Sequence, residues 1–291
     1  MSYLKKGLVN TLNSIKKHKL LFALLVLLQI IFVVSSLWLG THYVLKILAD
    51  TQGVIGPLEQ ANYDSQKLEQ GMPFTPDYAS IYNSYQSMLK NIAAFAGEML
   101  AMYLVLNGSI WLLSHRMFQD KKQGKPNHKE TAKKTIQFFL KAWSGVLVLF
   151  TPFVIISYYV LIHYIRLSDS FASVLLVIKI LLVVKLSLYY ILLAAFAAAR
   201  APSWKNFAEK TIRLSISNAQ KTFPLFILIA AVLLAFFATL YAAIEYTESV
   251  ALLLITGALT IIIIVLTRLF WIAGVQEIES EIPEVSEKQY N

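Results

Sequence analysis

The chain has 291 residues, 57% of them hydrophobic and 15% charged, with no cysteine and a formal net charge of +9. Soluble domains are about 45–50% apolar, so the composition excludes an ordinary soluble domain and indicates an integral membrane protein; the missing thiols exclude disulfides, thiolate zinc sites and cysteine catalysis. The basic residues lie mainly beside long apolar segments, where anionic lipid headgroups attract each lysine by about 1 kcal/mol, so the expected partner is membrane lipid and not nucleic acid.

At the N-terminus, Lys5, Lys6, Lys16, Lys17 and Lys19 precede the apolar run Leu20–Leu45. A signal-peptide core has about 7–15 apolar residues, so this longer run is expected to be a retained first helix. Crossing hydrocarbon takes about 20 apolar residues, and six runs qualify, at roughly 20–46, 91–114, 138–163, 170–199, 223–246 and 249–275. Residues 1–275 thus form one expected six-helix domain. A tail follows at 276–291, carrying Glu277, Glu279, Glu281, Glu284 and Glu287 with Pro283; its composition predicts a disordered cytoplasmic terminus, with docking onto the basic helices as the sharper alternative.

Lysine and arginine set the orientation, because cytoplasmic loops retain them. The N-terminal segment, the second connection (Arg116, Lys121, Lys122, Lys125, Lys129, Lys133, Lys134) and the fourth (Arg200, Lys205, Lys210, Arg213, Lys221) are basic. The first connection sets Lys67 and Lys90 against Asp50, Glu59, Asp64, Glu69 and Asp77, and the remaining two offer Arg166. Both termini are expected in the cytoplasm, with the cytoplasmic (plasma) membrane as the location. Trp111, Trp143, Trp204 and Trp271 fall at the cytoplasmic interface and Tyr43, Tyr164 and Tyr246 at the other, as aromatic belts require.

A repeat organises these spans. Leu4, Leu8, Leu12 and Ile15 precede span one, Ala132, Ile136, Leu140 and Trp143 span three, and Ala208, Ile212, Ile216 and Ala219 span five. The shared i, i+4, i+8, i+11 spacing lays one apolar stripe along a helix with lysines beside it, the pattern of a helix in the headgroup plane. Lys134-Thr135-Ile136 also matches Lys210-Thr211-Ile212, and Leu149-Phe150 matches Leu225-Phe226, with Leu21-Phe22 in the same place in the first copy. The expected fold is therefore an all-α integral membrane protein of six transmembrane helices in three hairpins, each preceded by a cytoplasmic interfacial amphipathic helix, with repeat units at about 1–128, 129–203 and 204–275. The first unit is longer because of an outer insertion at 49–90.

Four residues form a candidate intramembrane polar site: Glu98 and Asn107 on span two, Lys179 and Lys185 on span four. A charge at the centre of a membrane helix costs about 2.5–3.5 kcal/mol on insertion scales and needs a partner, a cavity or a route to the surface. Glu98 and Lys179 lie at similar depths, so an ion pair is possible. Six residues turn a helix so that Lys185 faces about 120° away from Lys179, and Lys185 therefore needs something else, such as Asn107, Gln29 or a water-filled cleft. Lys179 is near enough to one interface to snorkel. A second cluster, His42, His163, Asp169, Glu245 and Glu248, gathers at the outer helix ends, where hydrated caps are the plainer reading than a metal site.

No Gly-rich phosphate loop, H-E-x-x-H pair or G-x-S-x-G elbow occurs, and no cofactor is implied. The small-residue stripe Ala231, Ala235, Ala238, Ala242 and the pair Gly97, Ala101 suit close helix packing or a homo-oligomer face. Two functions fit: a non-catalytic scaffold, assembly or accessory subunit contacting lipid and partner proteins, or a small transporter or channel-like protein with a polar path lined by Lys185, Lys179 and Glu98. A reporter inserted within Glu59–Asp77 is expected to read as external; a cytoplasmic signal there would overturn the orientation.

Overall fold

A computed structural model describes residues 2–60, 77–118, 128–167 and 171–281. All regular structure among them is helical, and six helices are long and apolar enough to cross a membrane. The chain divides into two compact units, Leu28–Asn107 and Met1–Leu27 with Gly108–Asn291.

The unit Leu28–Asn107 is built from α2 (Lys19–Gln60) and α3 (Tyr78–Met102), the latter ending in a π turn at Tyr103–Asn107. The 42 residues of α2 extend about 60 Å, twice the roughly 30 Å of hydrocarbon. Asp77 starts α3 as its N-cap, its carboxylate accepting the Ala79 amide at 3.1 Å, which satisfies one orphan donor of the first turn. Both flanks of the expected outer insertion, 49–60 and 78–90, are therefore helix that prolongs α2 and α3; its middle, 61–76, lies outside the described residues. The flanks hold each other through Asn91, which donates to Asp50 at 2.7 Å, and through Gly53, where an added Cβ would fall 2.5 Å from Ser84 Oγ.

The second unit contains α1 (Ser2–Lys17), α4 (Gly108–Met117), α5 (His128–Leu167), α6 (Phe171–Ala198), α7 (Trp204–Ile212), α8 (Ala219–Tyr246) and α9 (Val250–Ser280). The last helix is its hub: α9 packs against α8, α1, α4 and α6. Small residues make this possible, since they let helix axes approach closely. A Cβ on Gly7 of α1 would sit 3.2 Å from the Gly274 backbone of α9. Residues Leu192 to Ala199 of α6 are all buried, as are Trp271, Ile272, Ala273 and Val275 of α9. The opposite halves of these helices are Leu, Ile and Val surface, exposed at Leu182, Val183, Leu234, Val250 and Leu254. Apolar exposure of that kind is what lipid solvates.

The three expected interfacial helices differ in how they join the spans. His18 separates α1 from α2, yet hydrogen bonds run through it, from the His18 amide to Ser14 O and from the Phe22 amide to His18 O. The second copy is not a separate element, because α5 runs unbroken from His128 to Leu167; no helix breaker stands between Thr131 and Trp143. The third is a short helix, with Pro202 before it, Ser203 accepting the Asn206 amide as its N-cap, and a π turn at Arg213–Ser217 closing at Asn218. Pro224, expected at a span entrance, lies inside α8, which begins five residues earlier. Within the segment read as tail, 276–280 continues α9. There Glu277 accepts from Asn10 at 2.6 Å, Glu279 pairs with Lys210 at 2.8 Å and Glu281 with Lys221 at 3.0 Å. Residues 282–291 lie outside the described residues.

The α1–α9 approach gives a test of opposite signs. Gly7→Ala is expected to lower the thermal unfolding temperature, because a backbone cannot give way as a side chain can, and overpacking costs about 1–3 kcal/mol. Gly40→Ala, with nothing within 4 Å of its Cβ position, should be neutral or stabilising by up to about 1 kcal/mol from helix propensity.

Candidate functional site

The four intramembrane residues divide between the two units. Glu98 and Asn107 belong to the unit Leu28–Asn107, and Lys179 and Lys185 to the other. On α3, Glu98 accepts the Tyr43 hydroxyl of α2 at 2.7 Å, with Phe95 packed on the Tyr43 ring. Tyr43 is buried and Glu98 exposed. The partner the structure gives this carboxylate is thus a phenol, about two helical turns from the Asp50–Asn91 pair on the same two helices. Asn107 is buried at the end of the π turn, and Gln29 on α2 is buried with no partner for its Oε1 among the described residues.

Lys179 and Lys185 sit on the half of α6 that its neighbours do not cover. Both are exposed, among Ile178, Ile180, Leu182, Val183 and Leu186, also exposed. Neither ammonium has a hydrogen-bond or ion-pair partner among the described residues. Below them, toward the C-terminal end of α6, the side chains change character. Tyr190 is buried, its hydroxyl 2.6 Å from Thr222 Oγ1; Thr222 is itself fully buried and donates toward Leu214 O at 2.8 Å. That carbonyl belongs to the π turn Arg213–Ser217, where the regular i→i−4 pairing shifts and a side-chain donor is in demand. Trp271 Nε1 donates to Leu193 O at 3.0 Å, and the Trp271 ring meets Tyr190 edge-on.

The same end carries a second buried polar group. His115 of α4, 4% exposed, has Nε2 3.0 Å from Phe196 O. Trp111, one turn earlier, stacks on Phe196 with ring centroids 4.8 Å apart, and the Arg268 guanidinium lies 5.3 Å from the Trp111 ring centroid. Lys141 of α5, also buried, donates its ammonium to Ala201 O just past the end of α6, with the Trp204 ring centroid 6.0 Å away. A cation at a helix C-terminus opposes the macrodipole and satisfies a carbonyl that the helix leaves open. These groups fasten helix ends together; none faces an open cleft with a second reactive group, so the arrangement is structural chemistry.

Sequence reasoning named none of Tyr190, Thr222, Trp271, His115 or Lys141 as a polar anchor. A signal for Lys141 existed: it interrupts the apolar series Phe138, Phe139, Leu140, Ala142, Trp143, so a helix burying those rings tends to bury it too. His42 stacks on Trp38 at 5.5 Å, Asp169 lies outside the described residues, and no group of three metal-ligating side chains occurs among those that are described.

Six helices long and apolar enough to span a bilayer fit a polytopic membrane protein of the helical class. Compared with known protein families, characterised proteins and solved structures, the chain matches none.

The contrast between the two polar sets is measurable. Thr222→Val should destabilise by about 1–3 kcal/mol, since it strands a buried carbonyl and a tyrosine hydroxyl. Lys185→Leu should leave thermal stability in detergent unchanged or raise it, because no bond is lost; a fall comparable to that of Thr222→Val would show that Lys185 is internally paired.

Proposed function

We propose that the protein is a non-catalytic membrane component, a scaffold, assembly or accessory subunit, that binds a partner protein inside the bilayer through the lysine-bearing face of α6. The observation that carries this reading is that neither Lys179 nor Lys185 has a partner among the described residues, on a helix face of exposed aliphatic residues. An ammonium in hydrocarbon without a counter-charge is costly, so the face is incomplete by itself, and a transmembrane helix bearing a carboxylate would complete it. The buried polar groups nearby are consumed in holding helix ends, which leaves no acid–base pair for catalysis.

The reading includes both termini in the cytoplasm and a threefold repeat with amphipathic segments at the lipid surface. The aligned stripe residues support it: Leu8, Ile136 and Ile212 are 52%, 60% and 55% exposed, although their helices pack in different places. The flanks of the same segments, Gly7, Thr11 and Ser14 in the first, Phe138 and Ala142 in the second, Phe207, Leu214 and Ser215 in the third, are protein-facing. Each segment thereby offers its aliphatic stripe outward, with lysines beside it for anionic headgroups.

The competing reading is a transport path for an anion, favoured by the about 9 Å between the two lysines along the axis, a spacing that would offer successive stations. A photo-crosslinker at Ser187, one turn from Val183 and next to Leu186, separates the two. The partner reading expects a discrete membrane-protein adduct that Lys185→Leu weakens about tenfold, and whose transmembrane sequence contains Asp or Glu. Retained adduct in Lys185→Leu, together with lysine-dependent anion flux in proteoliposomes, would transfer the assignment to transport.

A further inference from the structure

The C-terminal ends of α4 and α6 each carry an arginine with no carboxylate partner among the described residues. The two ends are tied together by the His115–Phe196 bond and the Trp111–Phe196 stack. Arg116 follows His115 directly, and Arg200 lies one turn past Phe196, where the chain folds through Ala199 N to Phe196 O and Ala201 N to Ala198 O. Arg116 is exposed and Arg200 half-buried. Burial first, and then the charge of Arg116, bring the Arg200 guanidinium down to about 10.

The described carboxylates of this end are engaged elsewhere. Glu209 pairs with Lys205 at 3.8 Å, Glu277 accepts from Asn10, Glu279 holds Lys210 and Glu281 holds Lys221. Lys210 and Lys141 are engaged as well, with Glu279 and Ala201 O. Arg200 lies in the turn between α6 and α7, just after the apolar span ends at Ala198. Paired guanidiniums present parallel N–H forks that match phosphate oxygens two at a time, and a phosphate between them removes the repulsion that each imposes on the other.

We propose that Arg116 and Arg200 bind the phosphate of an anionic glycerophospholipid, seated at the C-terminal ends of α4 and α6. The site is independent of the partner reading, because it lies at the opposite end of α6 from Lys179 and uses neither lysine. It differs from diffuse attraction to the lysines of the interfacial segments in having two converging donors on helices already fixed to each other. The plain alternative is that each arginine merely offsets the dipole of its own helix end. That effect would be the same in every lipid.

The full-length protein would be purified and placed in nanodiscs of phosphatidylcholine with and without phosphatidylglycerol, with thermal unfolding and native mass spectrometry as readouts. Wild type should gain stability from phosphatidylglycerol and retain it through detergent extraction. R116Q/R200Q should lose that lipid-dependent gain and retain about tenfold less phosphatidylglycerol, on the scale of about 1 kcal/mol for each basic contact. R116K/R200K, which keeps charge but loses the forks, should fall between, and K90Q, an exposed lysine of the other unit, should behave as wild type. Equal retention by R116Q/R200Q and wild type would overturn the site. A stability loss identical in both lipids would assign the arginines to the helix ends, and protection by inorganic phosphate in phosphatidylcholine discs equal to that by phosphatidylglycerol would reassign the ligand to a soluble anion. Should the double variant fail to fold, R116Q, on an exposed side chain, is read by lipid retention instead: reduced retention supports the site and unchanged retention sinks it.

Discussion

Hydrocarbon supplies no hydrogen-bond partner, so every polar group within a span must find one in the protein. That constraint sorts this molecule more sharply than hydrophobicity does, because almost every span is apolar. Along α6 the sorting is visible in a single helix. From Leu192 to Ala199 the side chains are buried, Tyr190 reaches Thr222, and Leu193 O and Phe196 O accept from Trp271 and approach His115. From Leu175 to Ser187 the same helix is apolar surface interrupted by two ammonium groups. The first half has been completed by its own chain and the second has not.

The completed half depends on how closely α9 can be approached. Gly274 faces Gly7 on one side, and on another an added Cβ would fall 2.6 Å from Leu225 Cδ2; Leu225 is fully buried and has no free volume to move into. Close packing there places Glu277, Glu279 and Glu281 beyond the core, each within reach of a different element: α1, α7 and α8. These contacts are partly exposed, and individually such pairs contribute about 0–1 kcal/mol. Their effect is positional. They fix the ends of three elements to the hub that the apolar packing has already ordered.

How much of this was legible follows from the physics of each feature. Length and hydropathy are local properties, so all six spans could be read from runs such as Leu20–Leu45 and Tyr246–Gly274. The junctions were less legible. Whether an amphipathic segment separates from its span depends on breakers: Pro202 and Asn218 isolate α7, whereas nothing comparable interrupts α5. The outer insertion was read by its polar composition, yet its described flanks are helical because Asp50–Asn91 and the Gly53–Ser84 approach let two helices continue together past the apolar region. Rotational matters were not legible. Depth along a helix comes from counting, but which neighbour a side chain meets comes from packing: depth made a Glu98–Lys179 pair possible, and within its own unit Glu98 accepts from Tyr43.

The two lysines therefore carry a different meaning from the one their depth suggested. If the fold of their unit required them, they would be buried as Lys141 is; both are exposed. Under the partner reading proposed above, they serve a molecule that meets α6 from the bilayer side. The exposed aliphatic residues around Lys179 and Lys185 would give such a partner its area, and the ammonium groups would give it specificity, since in a low-dielectric medium a helix lacking the matching carboxylate would leave both charges unpaired.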